Sequence, residues 1–338
     1  MIGSGPLLRR DHEEVSEVRQ RTFGRIGWQV GEVGYGMWGM GDWSGSDDAE
    51  SLASLDLAVE HGVSFFDTAN AYGDGHSERL LARLVAASPS VFAATKVPPK
   101  NRQWPSRRGV PLTDAFPSDY VRRYVDISRA NLGVETIDLL QLHVWEDDWL
   151  GSGDIERIVD ELKREGSIKA FGISLNRWEP WNGVKAVRSG LVDSVQVIYN
   201  IFDQAPEDEL FPACRENGVA VIARVPFDEG SLTGTLTPES TWPAGDWRAT
   251  YFVPENLESS VAHAEALKPL VPESMTMPEM ALRFILSNPD VSTVIPGMRK
   301  ARNVEANTAA SDAGPLPPTL LAELRRHRWD REPTDWSQ

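Results

Sequence analysis

Short apolar runs alternate with stretches of helical spacing along most of this chain, and that alternation predicts its architecture. Arg21-Thr22-Phe23 and Trp28-Gln29-Val30 flank Gly24-Arg25-Ile26-Gly27, a glycine-bounded turn that predicts a β-hairpin. Strand-like and helix-like segments then alternate: Glu32 to Tyr35 with Asp47 to His61, Ser64 to Asp67 with Ser77 to Ala87, Val91 to Lys96 with Pro117 to Leu132, and Ile137 to His143 with Asp154 to Glu165. Next come Ala170 to Ser174 with Trp178 to Ser189, Ser194 to Tyr199 with Glu207 to Asn217, Ala220 to Arg224 with Glu255 to Leu270 and Pro278 to Ser287, and Thr293 to Pro296 with Arg299 to Ala310. Eight such units in one composition regime predict an α/β fold, a closed (β/α)8 TIM barrel with the hairpin across its floor.

The expected division is a mobile N-terminal tail over residues 1–20, the barrel over 21–312, and a C-terminal extension over 313–338 with a short helix from Thr319 to Arg328. Two connections are long, Val97 to Phe116 after the third strand and Val225 to Pro254 after the seventh. Long connections in a compact domain are usually lids or binding loops, and both emerge at the C-terminal mouth of the barrel.

Charge and cysteine content then narrow the partners. The 338 residues carry 34 Lys and Arg against 50 Asp and Glu, a formal charge of −16, which argues against nucleic acid or an anionic membrane surface. A single cysteine, Cys214, excludes an intramolecular disulfide framework and multi-cysteine metal sites, and the six histidines are scattered, so no metal is expected. No signal-like or membrane-spanning apolar stretch is evident, and the expected location is cytoplasmic.

Asp67, Tyr72, Lys96 and His143 fall at or just past the ends of three successive strand-like runs. In a parallel barrel such positions converge on one mouth. A phenol beside charged partners that lower its pKa toward working pH, with an imidazole nearby, supplies what reversible carbonyl reduction needs. Paired carboxylates such as Asp67 and Asp147 suggest a barrel glycosidase instead, but leave Tyr72 and Lys96 without a role.

The segments FDTANAYGDGHSE (66–78), ATK (94–96), LLQLH (139–143), GISLN (172–176), QVIYN (196–200), GSLTG (230–234) and VIPGMRKARNVEAN (294–307) resemble, in order, those of the aldo-keto reductases, in the branch of bacterial enzymes and potassium-channel β-subunits. The resemblance implies a barrel that binds an extended nicotinamide dinucleotide without a Rossmann domain. It implies Tyr72 as general acid, Lys96 ion-paired to Asp67 as its charged neighbour, and His143 as the group that polarises the substrate oxygen. It also implies a nicotinamide site at Ser174, Asn176 and Gln196, with Tyr199 stacked on the ring. Leu175 interrupts the usual Ser-Asn pair, so Asn176 instead reads equally as a cap for the segment near Trp178, and Tyr199 as a core residue. Arg224 departs from the family pattern; it would pair with the cofactor diphosphate or cap the rim. Ser231, Leu232 and Gly234 would hold the diphosphate through backbone N–H groups, and Gly297, Arg299, Asn303 and Asn307 the adenosine half, although Ala306 replaces an acid often found there.

Arg299, Lys300 and Arg302 open a helix, where cations run against the helix dipole unless an anion is bound. A ribose 2′-phosphate would be that anion, so NADP(H) is expected over NAD(H). The partner is a small carbonyl or alcohol, sugar-like, terpenoid or aromatic, held by Trp38 and Trp145, with Asp147 and Asp148 available to hydroxyl groups. The β-subunit resemblance leaves a second reading, a cofactor-binding redox sensor with little turnover.

Overall fold

The computed structural model describes residues 17–41, 45–243 and 245–334, so all but the end of the expected N-terminal tail lies outside the described residues. Strands β1 (Gln20–Phe23) and β2 (Trp28–Gly31) form the antiparallel hairpin, with Phe23 opposite Trp28. The next eight strands are β3 (Tyr35–Gly36), β4 (Phe65–Asp67), β5 (Phe92–Val97), β6 (Ile137–Leu142), β7 (Ile168–Ser174), β8 (Ser194–Ile198), β9 (Ala220–Arg224) and β10 (Thr293–Val294). They pair in parallel in sequence order, as the pattern of apolar runs predicts.

Parallel bridges Val33–Val294 and Gly36–Gly297 close the seam between the first and last barrel strands. The approach there is tight: a Cβ on Gly36 would lie 2.6 Å from the Ile295 carbonyl oxygen. The two seam strands are short, and between the bridges Pro296 has no N–H to give although its carbonyl accepts from the Gly36 N–H at 3.0 Å.

Helices cover the outside of the barrel. In Asp154–Arg164, Ile155, Ile158, Val159 and Leu162 are buried, the i, i+3, i+4, i+7 stripe that its sequence encodes. Asp154 and Glu156 in its first turn and Lys163 and Arg164 in its last complement the helix dipole. Helices Ser118–Leu132 and Leu210–Asn217 end on Gly133 and Gly218 in the left-handed conformation.

The hairpin closes the floor. Phe23 stacks on Phe65 at 5.4 Å between ring centres and Trp28 on Phe92 at 4.8 Å, both partners being the first residues of their strands. Val30, Leu139, Ala170, Ala220 and Ile222 complete this plug. Arg25 fastens it by donating to the carbonyls of Gly190 at 2.9 Å and Val192 at 2.8 Å.

Higher in the barrel the inward positions turn polar. Lys96, Gln141, Gly172 and Ser194 are register partners across β5 to β8. Glycine is required at 172, because a Cβ there would meet the Ser194 hydroxyl at 2.4 Å.

The C-terminal helix spans Pro318–Arg325 and stops before the expected Arg328. Tertiary contacts redirect the chain: Trp329 donates its N–H to the Phe202 carbonyl at 2.9 Å and stacks on His263 at 3.8 Å. The long seventh connection carries a small core of its own, in which Trp242 stacks on Phe252 at 4.9 Å beside Leu257 and Val261.

Phe23→Ala should remove the plug's central ring and cost about 3–5 kcal/mol, read as a lower urea midpoint; a loss under about 1 kcal/mol would show that the hairpin does not hold the floor.

Candidate active site

The loop after β4 brings Tyr72 back over the barrel, and buried Glu78 fixes that loop. Its carboxylate accepts from Asn70 Nδ2 at 3.2 Å, Thr95 Oγ1 at 2.6 Å and Asn131 Nδ2 at 2.7 Å, tying the loop to the strand that carries Lys96. Lys96, fully buried, donates from Nζ to Asp67 Oδ1, to the Thr68 carbonyl at 2.9 Å and to the Tyr72 hydroxyl at 3.4 Å. The second oxygen of Asp67 accepts from Gln141 Nε2 at 3.0 Å and Gln196 Nε2 at 2.8 Å. Every exposed valence of the buried ion pair is therefore answered, which a charge pair in this setting requires. His143 lies edge-on to Tyr72 with ring centres 5.8 Å apart, and Trp104 lies edge-on to His143 at 5.9 Å.

Burial alone would discharge Lys96, but Asp67, then Tyr72, outweigh it and hold its pKa above the ordinary lysine value. For Tyr72 burial dominates in the other sense: the phenol is raised above its usual pKa despite Lys96. This corrects the expectation of a lowered phenol. Desolvation of the phenolate costs more than the lysine returns, and the hydroxyl keeps its proton at neutral pH. His143 is held well below the ordinary histidine value, by burial first and then by Lys96 and Arg224. Its neutral ring has Nδ1 buried with no partner among the described residues.

Two cavities meet over Tyr72. One, of about 680 Å³, runs between the β9 connection and the start of the helix Ala301–Asp312, past Gly297, Arg299, Lys300, Arg302 and Asn303. The other, of about 440 Å³, is walled by Trp38, Trp104, Trp145, Trp178, Trp247 and Tyr251. Tyr72, Gln196 and Arg224 line both. Trp38 and Trp247 touch edge to face at 5.7 Å above the junction.

Several expected site residues are thus brought together, and others are not. Ser174 and Asn176 line the smaller cavity, with Asn176 Oδ1 also accepting from the Trp178 N–H at 3.1 Å, the turn-capping contact. Tyr199 does not reach either cavity. Its ring packs on Phe211 at 4.9 Å and its hydroxyl donates to Glu207 and accepts from Asn288 at 3.0 Å, because position 199 follows the inward-facing Ile198 and points outward to the helices. Leu232 is core, Ser231 donates its hydroxyl to the Asp228 carbonyl at 2.9 Å, and Gly234 lies against Met277. Positive φ at Glu229 and Gly230 turns the segment so that Gly230 and Thr233 face the larger cavity instead. Asn307 is buried one turn beyond Asn303, with Nδ2 lacking a partner among the described residues.

Trp145 lines its cavity with its indole fixed by Asp147 Oδ1 at 2.9 Å. Asp147 also accepts from the N–H groups of Lys185 and Ala186 at 2.9 and 3.1 Å, so it caps a helix rather than meeting a hydroxyl ligand, and Asp148 faces Lys185 at 3.7 Å. Sequence reasoning missed Gln141 and Glu78, although a glutamine at an inward position of the apolar run Ile137–Leu142 is a signal. It also missed a buried ionic cluster in which Arg177 and Arg331 share Asp203 and Asp228, at 2.8 to 3.6 Å, and contact the Tyr251 hydroxyl at 2.7 and 3.2 Å. Nothing in the local sequence links Arg331 to a loop 103 residues earlier.

A dinucleotide fits this mouth. The larger cavity ends in cations, of which Lys300 and Arg302 are exposed and make no ion pair among the described residues, and it runs to Tyr72 past Arg224, whose Nε is buried without a partner among them. No group of three or more possible metal ligands occurs among the described residues, and no helix there is long and apolar enough to cross a membrane.

The fold and mouth define a (β/α)8 barrel that carries an ionisable cluster at the C-terminal ends of its strands. The model for the Aldo/keto reductase family matches residues 32–328, and the chain belongs to that family of carbonyl-reducing, nicotinamide-dependent oxidoreductases. It is 27% identical over 317 residues to the NADH-specific methylglyoxal reductase of Escherichia coli K12, covering 87% of this chain and 94% of that one. It is also 27% identical over 294 residues to an NADP(+) aldo-keto reductase of Schizosaccharomyces pombe, covering 83% and 84%. The holo form of an aldo-keto reductase from Bacillus halodurans superposes with a TM-score of 0.74 at 24% identity over 95% of this chain and all of that one. The glycerol dehydrogenase of Gluconobacter oxydans gives 0.73 at 23% over 94% and 98%.

The lowered His143 pKa has a definite sign. Below about pH 6.5 the unfolded chain takes up a proton that folded His143 refuses, so this residue costs stability as pH falls. The urea-midpoint difference between wild type and His143→Gln should therefore shift against wild type between pH 7 and pH 5. A pH-independent difference would mean that His143 titrates normally.

Proposed function

We propose that the protein is an NADP(H)-preferring reductase of aldehydes or ketones in which the Tyr72 hydroxyl protonates the carbonyl oxygen. The observation that carries this reading is the Tyr72–Lys96–Asp67 chain at the point where the two cavities meet. A bound nicotinamide would supply hydride to the carbonyl carbon. Tyr72 keeps its proton until an alkoxide develops, and Lys96 then stabilises the phenolate that remains. Neutral His143, which lines the smaller cavity edge-on to Tyr72, would donate a hydrogen bond to the same oxygen. Gln196 and Ser174 stand beside Tyr72 to orient the nicotinamide amide, although the Gln196 nitrogen is already committed to Asp67.

Support for NADP(H) is local. Arg299 lines the far end of the larger cavity and donates to the Gly39 carbonyl at 3.0 Å, which holds its guanidinium across the opening beside Lys300 and Arg302. The family is divided on this point, as one relative is named NADH-specific and another is named with NADP(+).

The test is NADPH consumption across aldehydes, ketones, keto-sugars and quinones. Tyr72→Phe should cut turnover at least a hundredfold while cofactor binding persists, as expected for loss of a positioned acid; undiminished turnover would remove Tyr72 from the chemistry. Arg299→Ala should raise the Kd for NADPH about tenfold or more and that for NADH much less, the scale of one charge-assisted contact. Equal weakening of both would place the 2′-phosphate elsewhere.

A further inference from the structure

Buried ion pairs seldom stabilise a fold more than apolar residues of the same volume, so a buried ionic cluster away from the reacting atoms calls for another role. Arg331, in the C-terminal arm, is such a case. Its side chain is 3% exposed and lines neither cavity. Its guanidinium meets Asp203 at 2.9 Å, Asp228 at 2.8 Å and the Tyr251 hydroxyl at 3.2 Å, and lies 4.4 Å from the centre of the Trp329 ring. Arg177 shares both aspartates and stands 4.0 Å from Glu229.

What the cluster holds is a strained turn. Asp228 is fully buried with φ of 44°, Glu229 follows at 57°, and Val225 precedes them at 55°. Left-handed backbone at residues other than glycine is unfavourable and persists only where the surroundings over-determine it. Here they do so from both ends. Arg331 and Arg177 grip Asp228, while Asn200 Nδ2 donates to Asp203 at 2.9 Å and to the Val225 carbonyl at 3.0 Å. Burial would raise the Asp228 pKa, but Arg331 first and then Arg177 outweigh it and keep the carboxylate charged.

The turn walls the larger cavity. Val225, Pro226, Phe227, Glu229 and Gly230 all line it, and Glu229 also lines the smaller one beside Arg177 and Tyr251. A side chain from the far end of the chain, outside both cavities, thus sets the backbone against which a dinucleotide would lie. The arm is attached independently as well: the Trp329 N–H donates to the Phe202 carbonyl at 2.9 Å, the Arg331 N–H to the Trp329 carbonyl at 3.0 Å, and Arg328 pairs with Asp208 at 2.7 Å nearer the surface.

We propose that Arg331 is a positioning residue that latches the turn 225–230 in the form that receives the dinucleotide, so that docking of the C-terminal arm and binding of the cofactor are coupled. The latch presupposes the larger cavity as the dinucleotide site and is independent of the Tyr72 chemistry. Coupling of this kind is reciprocal: the arm favours the cofactor, and the cofactor favours the docked arm.

Both directions are measured on the full chain without turnover. In wild type, NADPH should slow hydrogen exchange of the backbone amides of residues 326–334, which touch neither cavity, more than that of the hairpin Gln20–Gly31 on the barrel floor. No change at the arm, or equal slowing of arm and hairpin as global stabilisation would give, would overturn the latch. Arg331→Gln should raise the Kd for NADPH about tenfold, within the usual range of such couplings, and remove the extra protection of the arm. Arg331→Lys, which keeps the charge and loses the fork, should restore part of the affinity. Arg328→Gln, which releases the outer anchor alone, should leave the Kd close to wild type. An unchanged Kd in folded Arg331→Gln would overturn the latch, and so would equal weakening by Arg328→Gln, because docking of the arm as a whole would then account for the effect. The exchange measurement on wild type needs no variant, so it decides the matter even if Arg331→Gln does not fold. A wild type that binds no NADPH would remove the cofactor reading itself, and the latch with it.

Discussion

A fully buried lysine held by a buried aspartate is the constraint on which the rest of this molecule depends. Desolvating both charges costs several kcal/mol per ion, and their attraction repays it only with good geometry and every remaining donor and acceptor satisfied. The barrel meets both conditions from four strand ends and one loop. Lys96 comes from β5, Asp67 from β4, the amides that occupy the second carboxylate oxygen from β6 and β8, and the third lysine contact from the Thr68 carbonyl. Closure of the sheet at Gly36 and the absence of a side chain at Gly172 make room for that layer.

Tyr72 is placed by this pair rather than by its own loop alone. Its hydroxyl reaches Lys96, and Glu78 locks the loop to Thr95, the residue before that lysine. Phenol, ammonium and neutral imidazole then share one low-dielectric pocket, where burial sets the resting proton positions and the lysine charge acts when negative charge appears. Preorganisation of this kind needs a rigid base, which the hairpin plug and strand register provide.

Around that base the loops divide the labour. The cationic start of the helix Ala301–Asp312 ends one cavity, and tryptophans from the first, third, fourth, fifth and seventh connections wall the other. The C-terminal arm reaches into this arrangement through Arg331, whose pairs with Asp203 and Asp228 tie three loops together. The seventh connection thus has support from its own small core and from the far end of the chain.

The eight strand–helix units, the hairpin and the family were legible in the sequence, because each depends on local periodicity, on turn glycines or on short runs such as 66–78 whose residues act as neighbours. So was the convergence of Asp67, Lys96, Tyr72 and His143, since parallel strands deliver their ends to one face. What the sequence could not show depends on where side chains point and what they meet. Tyr199 is one position past an inward residue and so faces the helices. Burial outweighs Lys96 at Tyr72, a balance fixed by the depth of the pocket. Arg224 has no carboxylate partner among the described residues while Arg177 has several, and Arg331, which shares them, lies 128 residues from Asp203. Local pattern fixes backbone periodicity, whereas desolvation and pairing of charge are properties of three-dimensional surroundings, and only the folded chain decides them.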